Sequence, residues 1–310
     1  MSLPHACPTC LRRPWLLELL ASYIEHLHNP GADLLELLRL DDERLTAAVA
    51  PDVADHLLAR ARALPEQMLE REIESAGCWA ICHHDKRYPR SLQALGDPPP
   101  ALICRGDPAI LAPIARGESA AVVGDRQATA YGREVARTIG RDLAAGGVTV
   151  IGGIDFGIDC CVQRGALDAG RPVAVLPCGV DVAYPCAQRS LWRRLQEHGL
   201  LVSELPPGAT PWGWAQAASR RLLAALAQIT VLVEAQQGSL ALAAAHAAAA
   251  LDRDLGAVPG PVTSSASQGT NGLLAHGALV IRDAADVANA LAESRRRGAT
   301  PGARSAHNGH

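Results

Sequence analysis

The sequence predicts a doubly wound α/β fold with a mostly parallel sheet, preceded by a small helical domain. Three observations carry this. Short, continuously apolar runs recur between residues 101 and 281, as strands buried on both faces do, whereas half-solvated strands alternate. Helix-length segments separate nearly every pair of these runs, the connection that parallel neighbours require. Ahead of them, from about Pro14 to Ala76, the periodicity is helical only.

In the helical part, Leu16, Leu17, Leu20, Ile24 and Leu27 recur at helical spacing, and Asn29-Pro30-Gly31 is expected to stop that helix. Leu34–Leu38 gives a short second helix, and Asp41 or Asp42 suits the cap of a third. The glycine hairpin of a helix-hairpin-helix unit is not evident. Asp97-Pro98-Pro99-Pro100 reads as a rigid connector before Ala101–Cys104, an expected edge strand. Ala120–Val123, Val148–Ile151, Val173–Leu176, Leu200–Val202, Thr230–Val233, Leu255–Val258 and Ala278–Ile281 are the further strands. A helix from about Ala130 buries Val135, Ile139 and Leu143 and ends at Gly146-Gly147. The expected division is a helical domain over 1–76, an α/β domain over 77–292 and a disordered tail over 293–310, whose Arg, Gly, Pro, Ser and Asn content buries no core.

Hydrophobic residues make up 48% and charged residues 20% of the 310, enough for a sizeable core. No apolar run approaches the ~20 residues of a spanning helix, and the start lacks the basic-then-apolar order of a secretory leader, so a cytoplasmic location is expected. Nine scattered cysteines fit reduced, buried residues. With a net charge of -3, any attraction to nucleic acid must be local.

Ligands of doubly wound sheets collect beyond the carboxyl ends of the strands. Three glycine turns are expected there: Gly124-Asp125-Arg126, Gly152–Asp159 and Gln237-Gly238-Ser239. Such turns admit a phosphate close to the backbone, though tight strand–helix connections also use them. None spells G-x-G-x-x-G, which disfavours a nicotinamide dehydrogenase.

The motifs resemble the DprA/Smf family over about Trp79–Ala290. That family reads V-G-S-R, Y-G, S-G-x-A-x-G-I-D and H-R-G-A-L, against Val123-Gly124-Asp125-Arg126, Tyr131-Gly132, Gly152–Asp159 and Gln163–Leu167 here. Ala174–Leu176 with Gly179, Asp181 and Tyr184-Pro185, then Ser203–Gly208, Gly238-Ser239, Pro259-Gly260 and Gly269-Thr270-Asn271 continue the series in order. The resemblance implies an extended Rossmann-like homodimer without cofactor, a non-enzymatic protein that binds single-stranded DNA and passes it to a RecA-type recombinase in natural transformation. It carries the DNA-binding role onto Gly124, Arg126, Gly153, Gly157, Asp159, Arg220, Arg221, Gly238, Ser239 and Asn271. Many members add a C-terminal winged helix, which the few residues after Ala290 are not expected to form.

The chain departs from the pattern. Asp125 stands for the family's Ser, either repelling phosphate or holding Arg126; Gly152 stands for Ser, Asp155 for Ala and Gln163 for His. Ser219-Arg220-Arg221 replaces R-N-R, and Gln216 replaces an aromatic, with Trp212 and Trp214 close by either to stack bases or to pack over the sheet edge. Fewer positive groups should weaken DNA binding and flatten its salt dependence. Arg133, Arg137 and Arg141 form a stripe that reads as a solvated helix face.

The alternative is a Rossmann-like nucleotide-binding or phosphoribohydrolase-type enzyme. The cytokinin-activating phosphoribohydrolases it would resemble carry P-G-G-x-G-T-x-x-E, and Glu234–Ser239 lacks both the double glycine and the following acid. A diverged paralogue that binds DNA poorly is the third reading. Ser239 lies outside any G-x-S-x-G elbow, and Asp155 and Asp159 read as helix-start carboxylates rather than an acid pair. Cys7-Pro8-Thr9-Cys10 has zinc-knuckle spacing, with Cys82-His83-His84 as a source of further ligands, but no second C-x-x-C follows and no metal site is assigned.

Overall fold

The structure, a computed structural model, describes residues 3–28 and 33–299. Among these, five α-helices come first: α1 (Pro8–His28), α2 (Leu34–Arg39), α3 (Asp42–Val49), α4 (Ala54–Arg62) and α5 (Glu66–Ser75). Asp33 caps α2 by accepting from the Leu35 amide at 3.0 Å, and Asp41 rather than Asp42 caps α3, accepting from the Arg44 amide at 2.8 Å. The stop expected at Asn29-Pro30-Gly31 lies outside the described residues, as does the tail beyond Ala299.

The sheet and its crossovers then alternate as β1 (Trp79–Cys82), β2 (Ala101–Gly106), α6 (Leu111–Ala115), β3 (Ser119–Val123), α7 (Ala130–Ala145), β4 (Thr149–Gly152) and α8 (Ile158–Ala169). They continue as β5 (Val173–Val175), α9 (Arg189–His198), β6 (Leu200–Ser203), α10 (Gly213–Leu226), β7 (Ile229–Leu232), α11 (Leu242–Ala250), β8 (Asp254–Ala257), α12 (Gln268–Ala275), β9 (Leu279–Val280) and α13 (Ala284–Ala299).

The strands lie in the order β1-β2-β6-β5-β4-β3-β7-β8-β9. Pairs from β6 to β9 are parallel, and β1 and β2 add an antiparallel margin. The chain winds outward from β3 through β6, then returns past its starting point to lay down β7 on the other side. The switch point therefore lies between β3 and β7. This is the doubly wound, mostly parallel sheet the apolar runs predict.

Two expectations are corrected. Ala101–Cys104 is not at the edge, because Trp79–Cys82 pairs along its outer side with Trp79 opposite Cys104. The segment from 293 is not disordered as far as Ala299. It continues α13, with Arg297 on Asp254 at 2.6 Å and the Ser294 hydroxyl accepting from Gln228 at 2.8 Å.

Side chains on β3 alternate between two cores. Ala120 and Val122 pack with Ile139, Leu143 and Val162 of α7 and α8, whereas Ala121 and Val123 face Leu222, Leu226 and Ala244 of α10 and α11. The N-terminal helices have their own core, in which Leu16, Leu20 and Ile24 of α1 surround Leu45 and reach Trp214 of α10. Trp214 is fully buried; its indole N–H donates to the Ala21 carbonyl at 3.1 Å, and its amide donates to Glu25 at 2.9 Å. The packing alternative for Trp214 is thus the one realised, leaving no face for a base. Trp214→Ala should lower stability by about 3–5 kcal/mol, read as a fall in the denaturant midpoint. A midpoint within error of the wild type would contradict this anchoring.

Candidate nucleic-acid interface

Three loops converge at the switch point, those following β3, β4 and β7. Gly124 makes the convergence possible. A Cβ there would stand 2.6 Å from Cγ1 of Ile158 and 2.7 Å from the Glu234 carbonyl, so only hydrogen lets the β3 turn pass between α8 and the end of β7. The Gly124 amide donates to Asp159 at 3.3 Å, and the Asp125 amide donates to the Glu234 carbonyl at 2.9 Å. Gly157 sits at φ +74° with the Asp125 carbonyl against its α-carbon, and from there opens α8.

Asp125 engages the β7 loop, while the ion-pair partner of Arg126 is Asp155. The buried Asp125 carboxylate accepts from the Gln236 amide at 2.7 Å and from the Ser239 hydroxyl, tying the β3 turn to the β7 loop. Ser239 is thereby a structural donor, beside Gly238 at φ +77°. Behind this seam, buried Glu234 accepts from the Thr129 amide at 2.9 Å and hydroxyl at 2.6 Å, while that hydroxyl caps α7. Thr129 stands outside the candidate residues named from the sequence. Its signal, a Thr immediately before an apolar-periodic helix, was present.

At the mouth of the rim Arg126 remains accessible, its side chain 53% exposed and its Nε 3.1 Å from Asp155. Its guanidinium lies 5.8 Å from the centroid of the Phe156 ring, itself an exposed residue. Asp155 also accepts from the Phe156 amide at 2.8 Å, so the carboxylate substituting for alanine orders both residues. Phe156 is not legible from the sequence as a site residue, because a lone aromatic in a glycine loop has no periodicity to place it.

The two neighbouring arginines of α10 serve different places. Arg220 reaches into a narrow cleft lined by Gly153, Asp155, Asp159, Tyr184 and Gln216, and pairs with Asp159 at 2.8 Å. Burial pushes the Asp159 carboxyl pKa up, and Arg220 opposes that shift. Arg221 turns away from the rim. It is buried, donates to both oxygens of Glu204 at 2.8 and 2.9 Å, and also engages Asp97. Burial works against its charge, but Glu204 and Asp97 outweigh this and hold its pKa above the ordinary arginine value. The expectation that Arg221 lies on the same rim as Arg126 and Gly153 is therefore corrected: it locks the 97–100 connector to the end of β6.

Asn271 lines a recess with Gln237 of the β7 loop. It brackets Gly260, accepting from its amide at 3.2 Å and donating to its carbonyl at 3.0 Å, and so fixes the loop after β8. Gln163 is buried and donates to the Val173 carbonyl at 2.9 Å, inside the fold. The arginine stripe of α7 is engaged locally, Arg133 with the Ala128 carbonyl, Arg137 with Asp168 and Arg141 with Asp142. Among the described residues no helix is long and apolar enough to cross a membrane.

Sheet order, switch point and glycine turns place the protein among Rossmann-like α/β proteins that present a binding edge at the reversal of strand order. The chain belongs to the DNA recombination-mediator protein A family, whose model matches residues 79–292, from β1 into α13. A DNA processing protein DprA of Mycobacterium tuberculosis is 46% identical over 170 residues, which are 54% of this chain and 44% of that one. The match thus spans less than half of that relative's length. The Bacillus subtilis DprA is 30% identical over 209 residues, covering 67% of this chain and 69% of the relative. The crystal structure of DprA from Streptococcus pneumoniae shares the fold with a TM-score of 0.71 at 23% identity, covering 91% of this chain and 95% of that one. DprA from Helicobacter pylori, described for its single-stranded DNA binding mode, aligns with a TM-score of 0.63 at 26% identity, over 70% of this chain and 96% of that one.

Because Arg221 neutralises two buried acids, Arg221→Ala should cost about 3–5 kcal/mol of stability, measured by chemical denaturation. An unaffected midpoint would show that Asp97 and Glu204 have other partners.

Proposed function

We propose that the protein binds single-stranded DNA along the rim formed by the loops after β3, β4 and β7, and delivers it to a RecA-type recombinase in DNA recombination and natural transformation. One observation carries the reading: the accessible Arg126 guanidinium beside the exposed Phe156 ring at the mouth of the switch point. A guanidinium suits a phosphate, and an aromatic face suits an unstacked base, a pairing that favours a single strand over a duplex. Family membership and the binding described for the Helicobacter pylori relative support it. Gly124, Gly153, Gly157 and Gly238 shape the rim, and Asp159, Arg220 and Ser239 hold it.

The role is one of binding rather than catalysis, and no cofactor is part of it. The family's description as a recombination mediator supports delivery to a recombinase. A homodimer belongs to the same reading, for which exposed Leu279 and Val280 on edge strand β9 offer apolar surface. The rim's positive charge is partly neutralised, Arg126 by Asp155 and Arg220 by Asp159. Affinity should therefore fall gently with salt compared with a fully basic groove.

Titration of a fluorescent oligonucleotide by anisotropy, at several salt concentrations, tests this. Arg126→Ala should weaken single-strand binding on every sequence and reduce the salt slope by about 1; unaltered affinity would move the site elsewhere. Asp155→Asn keeps the acceptor for the Phe156 amide but releases Arg126. It should tighten binding up to about five-fold, the worth of a partly exposed ion pair. Weaker binding in that variant would mean Asp155 positions the rim more than it neutralises it.

A further inference from the structure

We propose that Cys7, Cys10, Cys82 and His84 form a structural zinc site that fastens the start of α1 to the end of β1. The donor atoms of these four residues all lie within 4.8 Å of one another. The Nδ1 of His84 is 3.5 Å from the sulfur of Cys7, 3.5 Å from that of Cys10 and 3.7 Å from that of Cys82. Hydrogen bonding does not account for this convergence. A ring nitrogen has either one proton or one lone pair and satisfies one partner, not three. A disulfide does not account for it either, since joining any two of three clustered sulfurs leaves the third over.

Tetrahedral zinc does account for it. With Zn–S bonds of about 2.3 Å and a Zn–N bond of about 2.0–2.1 Å, each sulfur lies about 3.6 Å from the ligand nitrogen along a tetrahedral edge. The three measured separations fall at that value. Three cysteines and one histidine are a ligand set of closed, structural zinc sites, with no position left for substrate. The Cys7 amide also donates to the Cys82 sulfur at 3.4 Å, the outer-shell contact that orients and stabilises a thiolate. His83 is the lesser candidate: among these sulfurs it approaches only Cys10, at 3.9 Å, and its ring lies against that of His84 at 4.1 Å.

The fold supplies the second ligand pair that the sequence pattern lacks. Cys7 and Cys10 bracket the first turn of α1; Cys82 ends β1, and His84 follows in the next turn. Cys7 and His84 are 77 residues apart, so the ion would close a long loop and hold the helical part against the sheet margin. On binding, the three thiols release their protons to solvent and the ion takes up three thiolates and one neutral imidazole.

Elemental analysis of full-length protein, purified in reductant and passed through dilute chelator, tests the proposal. It should retain one zinc per chain. Exchange with Co(II) should give the thiolate charge-transfer absorption and intense visible bands of a tetrahedral sulfur-rich site. Cys10→Ser with Cys82→Ser should lose both signals, and the exposed His84→Ala, which leaves the core untouched, should release zinc to chelator faster. Wild-type protein that is reduced, supplied with zinc, desalted and found without it overturns the site. So does a cobalt spectrum lacking thiolate absorption. Neither readout involves DNA, so the result is independent of the proposed rim.

Discussion

Close approach at Gly124 is the constraint on which the switch-point rim depends. Parallel strands β3 and β7 end side by side, and α8 starts directly above them. A side chain at the first turn residue would drive these three elements apart, since its Cβ would fall within 2.7 Å of both Ile158 and the Glu234 carbonyl. With hydrogen there, the turns come within hydrogen-bonding distance. Asp125 can then reach the Gln236 amide and the Ser239 hydroxyl, and Asp159 can receive the Gly124 amide. Backbone-to-carboxylate bonds of this sort are stronger than neutral ones in a water-poor site. They turn three loops into one seam.

Charge is distributed accordingly. The acids near the seam serve it rather than an incoming anion: Asp125 and Glu234 accept from the protein's own amides and hydroxyls, and Asp159 is matched by Arg220. Arg126 is left at the opening, moderated by Asp155 and set beside Phe156. In the proposed role such a rim would rely on shape and on the accessible Arg126 guanidinium more than on a broad positive field, as befits a chain of net charge -3.

Much of the fold was legible in the sequence because buried parallel strands read as unbroken apolar runs, and β3 through β8 fall within a residue or two of those runs. β1 escaped notice because Trp79-Ala80-Ile81-Cys82, although an unbroken apolar run, is short and directly follows the helical segment, with no helix-length crossover between it and β2 to mark it as part of the sheet. Only its pairing with β2 makes it a strand. Ser294–Ala299 looks too polar to order, yet long-range contacts from Ser294 and Arg297 hold it on α13. At the site, glycine placement was readable, but side-chain direction was not. Arg220 and Arg221 are adjacent, and adjacent helical residues point about 100° apart, so a motif that carries both to one surface must misplace one. Asp125 was ambiguous for the same reason: its partners lie 111 and 114 residues away. The cysteine knuckle likewise finds its other half only through the docking of α1 on β1.

Hydrogen exchange on the full chain, with and without a short oligothymidylate, measures the central claim most directly. The account predicts new protection in the loops at 124–129, 153–157 and 236–239, and little change in α1 to α4. Protection confined to those N-terminal helices, where Arg13, Arg39 and Arg62 line a separate cleft, would contradict it.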